Sequence, residues 1–494
     1  MRLRSLFPIP IHPFFPALLL AIGLAPAAFG VPPAKTSIAP KLGVSYSKQV
    51  FPLIQAKCQA CHQPALAGGK LIMTKFYDFA KGGENGKPFV PGKPDQSPLM
   101  EYVTGRRTLM PKGGPALAAT EIALFRQWIA EGAKDDSTAL KDPIDAEHPP
   151  VYSLSPVITA LAYSPDGTKL AVSGNREILI HKSDGSGIEA RLVGQSEKIL
   201  SLVYSADGKM LAAVGGTPCR FGEIQFWDTT THLMVNSVQT TFDTLFGASL
   251  SPDGKLLGFG CVDNSVRVVT VPQGKQVMRL DNHSDWVLST CFSLDSKNIL
   301  STGRDQALKL TLIEGGSFID DINTHYGAYR ALARHPKSDQ VLVAGDDGIP
   351  RLYQVFRTKA RSMNQEDHNL LRVYEKQPAT VTAVAFSTAG DIFAVGAENG
   401  GVRIYKTDNG PAVKEDQAVV GGVATASLKG CQGVVYSLAF RPDGKQIAVG
   451  GRDGTLRLYD LPAGTLVKSF SPVPLRSAPV LNKSAPLKAP ASRK

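Results

Sequence analysis

The residues best suited to chemistry in this chain are two cysteines and a histidine in the run Cys58-Gln59-Ala60-Cys61-His62. A Cys-x-x-Cys-His run is the attachment signature of a c-type haem. In such a site the two thiols bond to the haem vinyl groups, and the adjacent imidazole ligates the iron. Cys58 and Cys61 are therefore the predicted attachment points, and His62 is the predicted iron ligand. For the motif alone, the alternative is a chance or redox-active Cys-x-x-Cys pair.

The iron of such a haem needs a second ligand, and the candidates are Met73, Met100 and Met110. A thioether favours ferrous iron and raises the reduction potential. We prefer Met110, because proline and glycines in the segment from Leu109 to Gly114 build a fixed loop that can present a side chain. Met100 lies in a predicted helix start and Met73 in a short apolar run, where core packing is favoured. An open or histidine-filled position is the remaining alternative.

Two predicted helices would position these groups. Apolar residues and a lysine recur at helical spacing up to the motif, at Val50, Leu53, Ile54 and Lys57. Thr120 is predicted to cap a second helix over Glu121–Glu131. The apolar face of that helix consists of Ile122, Phe125, Trp128 and Ile129. Residues 43–134 are therefore predicted to form a small all-α domain with an apolar pocket for the porphyrin.

The N-terminus has the composition of an export signal. Such a signal is expected with a c-type haem motif, because covalent haem attachment in bacteria takes place outside the cytoplasm. Arg2 and Arg4 precede an apolar run from Phe14 to Leu24 and a small-residue stretch that ends at Gly30. We interpret residues 1–30 as a secretory signal, with an uncleaved anchor as the alternative. No later segment approaches a transmembrane length. The predicted location is periplasmic or otherwise extracytoplasmic.

The formal net charge of +11 is unevenly distributed. Residues 31–140 carry a net +6, residues 141–470 carry −2, and the last 24 residues carry +5. The distribution therefore predicts no nucleic-acid partner. A basic haem domain suits docking to an acidic redox partner, and a solvated lysine-rich surface is the alternative.

Several further blocks follow the haem motif in a fixed order. They are Gly68-Gly69-Lys70-Leu71, Lys81-Gly82-Gly83-Glu84, Val90-Pro91-Gly92, Ser97-Pro98-Leu99, Met110-Pro111 and Trp128-Ile129-Ala130-Glu131-Gly132-Ala133. Their order and spacing resemble the planctomycete-type cytochrome c domain. The resemblance implies one covalent haem c with His62 as proximal ligand, and the Met-Pro element of the family falls on Met110. The run from Lys70 to Met73 departs from the family pattern at the haem edge.

Residues 135–150 are rich in proline and charge and are predicted to be a linker. A repeat follows, marked by turns that begin at Ser164, Ser205, Ser251, Ser293, His335, Ser387 and Arg441. Successive turns are 41, 46, 42, 42, 52 and 54 residues apart, and each lies between two alternating strands. A period of this length predicts a seven-bladed β-propeller over residues 151–470.

The last unit, from Gly450 to Asp460, resembles the WD-repeat family, and Trp227-Asp228 supplies that family's dipeptide. The tight-turn aspartates of the repeat are Asp305, Asp347 and Asp453, with Asp263 as a looser match. The repeat-specific histidines are His283 and His325, and Cys431 takes the equivalent place in the last unit. We predict that these histidines form hydrogen bonds within blades and bind no metal.

Four cysteines lie outside the motif: Cys219, Cys261, Cys291 and Cys431. They are expected to be buried small hydrophobic residues, although an exported chain could pair two of them. Residues 471–494 hold five prolines and five basic residues with no acid, and this composition predicts a disordered tail.

The expected fold is multidomain: a small all-α c-type cytochrome domain followed by an all-β, WD-repeat-like propeller. The leading functional hypothesis is an exported electron carrier with one covalent haem c, whose propeller docks a protein partner, and which is not itself an enzyme. A redox enzyme whose propeller binds substrate or a further cofactor is one alternative. A haem-bearing sensor or scaffold is the other.

Overall fold

The computed structural model describes residues 43–63, 68–137, 144–323, 327–357, 369–409 and 420–476. A helical segment comes first, and seven β-sheets follow it. The predicted signal segment lies outside these ranges, as do all but the first six residues of the predicted tail. Among the described residues, no helix has the length and apolar character needed to span a membrane.

The helical segment contains four short α-helices and a preceding π-helical turn over Tyr46–Val50. They are α1 (Phe51–Lys57), α2 (Phe76–Lys81), α3 (Pro98–Val103) and α4 (Ala119–Ala130). Pro52 and Pro98 lie in the first turns of α1 and α3, where a missing backbone N–H leaves no helical bond unmade. Ile54, Phe79, Phe125 and Trp128 are all buried in one apolar core.

The start of α4 differs from the prediction. Thr120 lies inside the helix, and Ala118 occupies the N-cap position. The Glu121 carboxylate accepts a hydrogen bond from the Ala118 backbone N–H at 2.8 Å. The prediction of a Thr120 cap is therefore wrong, because an acidic side chain reaching back satisfies the first N–H in place of a hydroxyl.

Each of the seven sheets is one blade of a propeller, which confirms the predicted fold class. Blades 1 to 3 comprise β1 (Leu161–Tyr163), β2 (Lys169–Ser173), β3 (Glu177–Lys182), β4 (Ile188–Val193), β5 (Lys198–Tyr204), β6 (Met210–Thr217), β7 (Phe221–Asp228), β8 (Met234–Thr241), β9 (Leu245–Leu250), β10 (Leu256–Cys261), β11 (Val266–Thr270) and β12 (Gln276–Leu280). Blade 4 comprises β13 (Val287–Phe292), β14 (Asn298–Gly303), β15 (Leu308–Leu312) and β16 (Ser317–Asp321).

Blade 5 begins with β17 (Tyr329–Arg334), β18 (Gln340–Gly345), β19 (Arg351–Gln354) and β20 (Leu370–Tyr374). Blade 6 comprises β21 (Val381–Phe386), β22 (Ile392–Ala397), β23 (Val402–Lys406) and β25 (Ala426–Leu428), and β24 (Val420–Gly422) lies between its last two strands in sequence. Blade 7 comprises β26 (Val435–Phe440), β27 (Gln446–Gly451), β28 (Leu456–Asp460) and β29 (Thr465–Phe470).

The repeated turns predicted to begin at Ser164, Ser205 and Ser251 join the first and second strands of their blades. In blade 1, the Ser164 hydroxyl donates to Asp166, and Asp166 accepts from the backbone of Thr168 at 3.0 Å. The second strands that follow are buried on both faces, as at the adjacent residues Leu170 and Ala171 of β2. These turns are therefore structural, because a short side chain that bonds the backbone sets the hairpin.

Blade 5 gains a fifth strand from the long excursion of blade 6. Strand β24 lies parallel to β20, with Val420 opposite Val373. The Glu375 N–H donates to the Gly422 carbonyl at 2.9 Å. The sequence gives no indication of this pairing, because both segments are short and lie far apart in the repeat.

A six-residue segment, residues 471–476, closes the ring against blade 1, and we call it the strap. Leu475 forms a parallel bridge with Tyr152. The Pro472 carbonyl accepts a hydrogen bond from His181 Nε2 at 2.9 Å. The tail that is predicted to be disordered from its first residue is thus anchored over these six positions, because its backbone finds partners on blade 1.

Candidate functional site

The haem motif forms a tight turn at the end of α1. The N–H of Cys58 donates to the Ile54 carbonyl at 2.9 Å and closes the helix. The N–H of His62 then donates to the Cys58 carbonyl at 3.0 Å, which folds the motif back on itself. Helix α1 therefore fixes the first cysteine, and the turn carries the second cysteine and the histidine to the same side.

Cys58, Cys61, His62 and Met110 all line one cavity of about 540 Å³. A cavity of this size is within the range of small-molecule and cofactor sites. Most of the other lining side chains are apolar, and they include Leu71, Met73, Pro88, Leu99, Val103 and Leu117. Two thiols, an imidazole and a thioether in an apolar enclosure are the donor set that a covalently held haem requires.

The histidine ring is held by a backbone carbonyl. His62 Nδ1 lies 3.3 Å from the Leu71 carbonyl oxygen, which can only accept a hydrogen bond. This contact selects the tautomer with a proton on Nδ1 and leaves Nε2 as the ligating nitrogen. Gly68 packs close to the ring, since a Cβ at that position would lie 3.6 Å from His62 Cε1.

The three candidate methionines occupy different surroundings. Met110 is half-buried at the cavity wall, and its N–H donates to the Tyr102 carbonyl at 3.1 Å, which ties the loop to α3. Met73 also lines the cavity, but it is buried and its N–H donates to the His62 carbonyl at 2.9 Å. Met100 is buried in α3 and does not line the cavity.

The chemical state of Cys58 bears on the redox-active alternative for the motif. Burial raises the pKa of the Cys58 thiol to about 11, and the nearby Glu121 carboxylate adds to the shift. A dithiol catalyst requires the opposite, a thiol whose pKa is lowered so that the thiolate can attack. The environment of Cys58 therefore disfavours a disulfide oxidoreductase.

The predicted blade histidine has the role expected of it. His283 is buried, with Nδ1 2.9 Å from Asp305 Oδ2 and Nε2 2.8 Å from Ser301 Oγ. Burial acts to raise the pKa of Asp305, but the hydrogen bond and charge of His283 outweigh it, and the pKa lies below its usual value. Both ring nitrogens of His283 are thus engaged within blade 4. His325 lies outside the described residues.

The remaining cysteines only partly follow the prediction. Cys261 and Cys291 are buried, whereas Cys219 is exposed and Cys431 is half-buried. All are free thiols, and Cys219 lies in a turn with a positive φ of 56°. The expectation of burial is therefore wrong for Cys219.

A second cavity, of about 780 Å³, lies where the inner strands of the blades converge. Phe246 and Tyr436 line it, and Phe246 stacks on the half-exposed Trp286 with ring centroids 6.2 Å apart. The Arg304 guanidinium lies 5.0 Å from the Trp286 ring centroid. Tryptophan, tyrosine and arginine are the residues most enriched at the energetic centres of protein interfaces.

Comparison with family models finds a match to the segment that contains the first of these two cavities. The family described as "Planctomycete cytochrome C" matches residues 58–114, from the first motif cysteine to the loop beyond Met110. The chain carries a planctomycete-type cytochrome c domain. The family "WD domain, G-beta repeat" matches residues 274–310, 368–406 and 422–460, which belong to the propeller. The predicted pairing of a cytochrome domain with a seven-bladed WD-repeat propeller is thereby confirmed.

The curated relatives match this chain at the level of WD-repeat proteins. Serine-threonine kinase receptor-associated protein of Gallus gallus is 23% identical over 249 residues, which span 44% of this chain and 67% of that protein. Periodic tryptophan protein 2 of Arabidopsis thaliana is 22% identical over 55% of this chain and 28% of its own length. Protein groucho of Drosophila melanogaster is 27% identical over 44% of this chain and 30% of its own length.

Two groups at this edge of the site were not predicted from the sequence. One is the Leu71 carbonyl, which has no side-chain signature. The other is Gln59, at a variable position of the motif, whose side-chain amide donates to the Met73 carbonyl at 3.0 Å. The departure from the family pattern between Lys70 and Met73 was the only available indication that this edge of the site is distinctive.

Proposed function

We propose that this protein is an exported electron carrier that holds one haem c in its cytochrome domain and uses its propeller to dock a protein partner. The observation that carries the proposal is the convergence of Cys58, Cys61, His62 and Met110 on one apolar cavity. When bound, haem supplies reversible one-electron chemistry between ferrous and ferric iron. The residues of the chain hold, orient and shield that group.

Each of these residues has a defined part in the proposal. The thiols of Cys58 and Cys61 would hold the porphyrin covalently, and His62 would ligate the iron through Nε2, because Nδ1 is committed to the Leu71 carbonyl. Met110 would supply the second ligand from a loop that is tied to α3. The apolar walls exclude water, which favours ferrous iron and raises the reduction potential.

We assign docking to the propeller because the repeat-specific histidine that the structure describes, His283, is engaged within its blade. The His283, Asp305 and Ser301 side chains bond one another within blade 4. Trp286 and Arg304 are half-exposed beside the second cavity, whose wall includes Phe246, and they offer a recognition surface. The Gallus gallus relative is named for association with a receptor kinase, which supports a protein partner for the WD repeats. We assign catalysis to no residue of the propeller.

An extracytoplasmic location follows from the same proposal, since covalent haem attachment demands export and residues 1–30 have the composition of a secretory signal. The test is an optical redox titration of the full chain purified from a host that matures c-type cytochromes. We expect one reversible one-electron transition with the spectrum of low-spin haem c. A protein that is colourless after such expression would contradict the proposal.

A further inference from the structure

The side chain of Gln59 lies between the two cysteines of the motif and reaches across to the segment that faces His62. Its Nε2 donates to the Met73 carbonyl at 3.0 Å, and the contact is partly buried. The two residues are 14 positions apart in sequence, so the bond joins separate parts of the domain. Gln59 therefore fastens the motif turn to the stretch from Leu71 to Met73.

That stretch is held at three successive points. The Leu71 N–H donates to the Gly68 carbonyl at 3.2 Å, and the Met73 N–H donates to the His62 carbonyl at 2.9 Å. The bond from Gln59 to the Met73 carbonyl adds the third point, and its donor is a side chain. The Leu71 carbonyl, which accepts from His62 Nδ1, belongs to this held stretch.

The contact between His62 and Leu71 is long, at 3.3 Å, and a bond near the limit of useful geometry is sensitive to small movements of the acceptor. A carbonyl that accepts from the distal nitrogen of a ligating imidazole fixes the ring orientation and makes the imidazole a stronger donor to metal. Whatever holds the Leu71 carbonyl in place therefore controls the electronic character of His62.

We infer that Gln59 is a positioning residue for the iron ligand, acting through the Met73 backbone on the Leu71 carbonyl and so on the orientation and basicity of His62. The inference rests on the proposed haem site. It differs from a role in haem attachment, which belongs to the thiols on either side. Removal of the amide donor leaves both thiols and the imidazole in place but frees the acceptor of the His62 hydrogen bond.

Two variants and one control test the inference. Gln59→Leu removes the donor, and Gln59→Glu keeps the size of the side chain but replaces Nε2 with an oxygen that cannot donate when ionised. The control is Gln63→Ala, because the Gln63 amide bonds only weakly, at 3.3 Å, to Ala60 within the motif turn. All three leave the thiols, His62 and Met110 unchanged.

In the haem-loaded full chain, both Gln59 variants should keep the haem content of the parent but show a higher midpoint potential, because a less basic imidazole stabilises ferric iron less well. Hydrogen exchange of the His62 ring N–H, followed by NMR in the ferrous state, should accelerate, because the acceptor of that N–H is less firmly held. Gln63→Ala should match the parent in both measurements. Unchanged potential and exchange in both Gln59 variants would overturn the inference.

Loss of haem from both Gln59 variants would also overturn it, by assigning Gln59 to the folding of the motif. Failure of the proposed function is separately visible as an absence of haem from the parent chain. In that event ¹⁵N shifts of His62 in the haem-free protein still report the fraction with a proton on Nδ1. That fraction should fall in Gln59→Leu relative to Gln63→Ala, and an equal fraction would contradict the positioning role.

Discussion

Met110 and Met73 both line the cavity beside His62, yet their backbones belong to different parts of the domain. Met73 is bonded to the backbone of His62 itself, whereas Met110 is bonded to Tyr102 of α3. A second ligand to an iron held by His62 would be supplied more easily by an element separate from the histidine. The environment of the two residues therefore favours Met110 in the proposed site.

This difference gives a test at the level of single residues. Met110→Leu should lower the midpoint potential and abolish the red charge-transfer band of methionine-ligated ferric haem, because leucine has no lone pair to offer the iron. Met73→Leu is the matched control and should leave the spectrum unchanged, since such swaps in a core cost less than about 1.5 kcal/mol of stability. Loss of the band in Met73→Leu alone would contradict the assignment of Met110.

The thiols, the histidine and the methionine loop could be picked out from the sequence because their residue types and spacing are typical of haem attachment, and all four side chains line one cavity. The supports of His62 could not. The Leu71 carbonyl is a backbone group, and the reach of Gln59 to Met73 depends on how the chain returns after the motif. Residue types reveal the donors of a site, while the groups that orient those donors depend on the fold.

The second strand of a blade recurrently ends at a glycine that touches the neighbouring first strand. A Cβ at Gly345 of β18 would lie 1.9 Å from the Ala328 carbonyl, and one at Gly215 of β6 would lie 1.9 Å from the Lys198 carbonyl. These contacts are with backbone, which cannot move aside as a side chain could. Glycine is required at these positions by close approach of two chains.

Gly345→Ala should therefore destabilise the protein by about 1–3 kcal/mol, the usual cost of forcing an added methyl group into a filled space. Gly187→Ala is the matched control, since a Cβ there meets nothing within 4 Å and the backbone has no positive φ. Its effect should stay within about 0.5 kcal/mol. Chemical denaturation followed by intrinsic fluorescence measures both, and equal stabilities of the two variants would contradict the close-approach account.

The number of blades was predictable because a turn motif repeats at a regular spacing between short strands. Strand β24 was not predictable, since its pairing with β20 is parallel and crosses from one blade to the next. The cap of α4 was misassigned because Thr120 is a good capping residue by type, whereas Glu121 makes the observed bond. Long, regular elements could be predicted from local propensity and repeated patterns. The short strand β24 and the start of α4 depend on contacts that the sequence pattern does not reveal.

The ring as a whole is closed by contacts between its two ends. Val473 of the strap packs with Tyr152 and Leu179. The Tyr152 hydroxyl donates to the buried Glu177 at 2.7 Å, and Arg191 bonds the same carboxylate. The strap thus joins the start of the propeller to the end of blade 7. Composition alone suggested disorder here, because proline-rich segments usually lack the apolar residues to pack.

The stability of the closed ring should depend on pH, because His181 of blade 1 bonds the strap at the Pro472 carbonyl. Burial lowers the pKa of His181 and Lys468 adds to the shift, although the Pro472 carbonyl opposes it. Because the pKa of His181 is lower in the folded chain than the value of about 6.5 expected in the unfolded chain, folding stability is lost as pH falls below that value.

In His181→Gln the amide can still donate to Pro472 but cannot titrate. The difference in unfolding free energy between parent and variant should therefore change by on the order of 1 kcal/mol between about pH 7.5 and 5.5, with the parent losing more. Parallel stability curves for the two proteins over this range would contradict the role assigned to His181.

The central claim is that Cys58 and Cys61 hold one haem covalently beside His62. The direct measurement is the pyridine haemochrome spectrum and haem-to-chain ratio of the full chain expressed with cytochrome c maturation, compared with a Cys58→Ser, Cys61→Ser double variant. We predict one haem c per chain in the parent and no covalently retained haem in the double variant. A parent chain without covalent haem, or a double variant that retains it through acid extraction, would contradict the account.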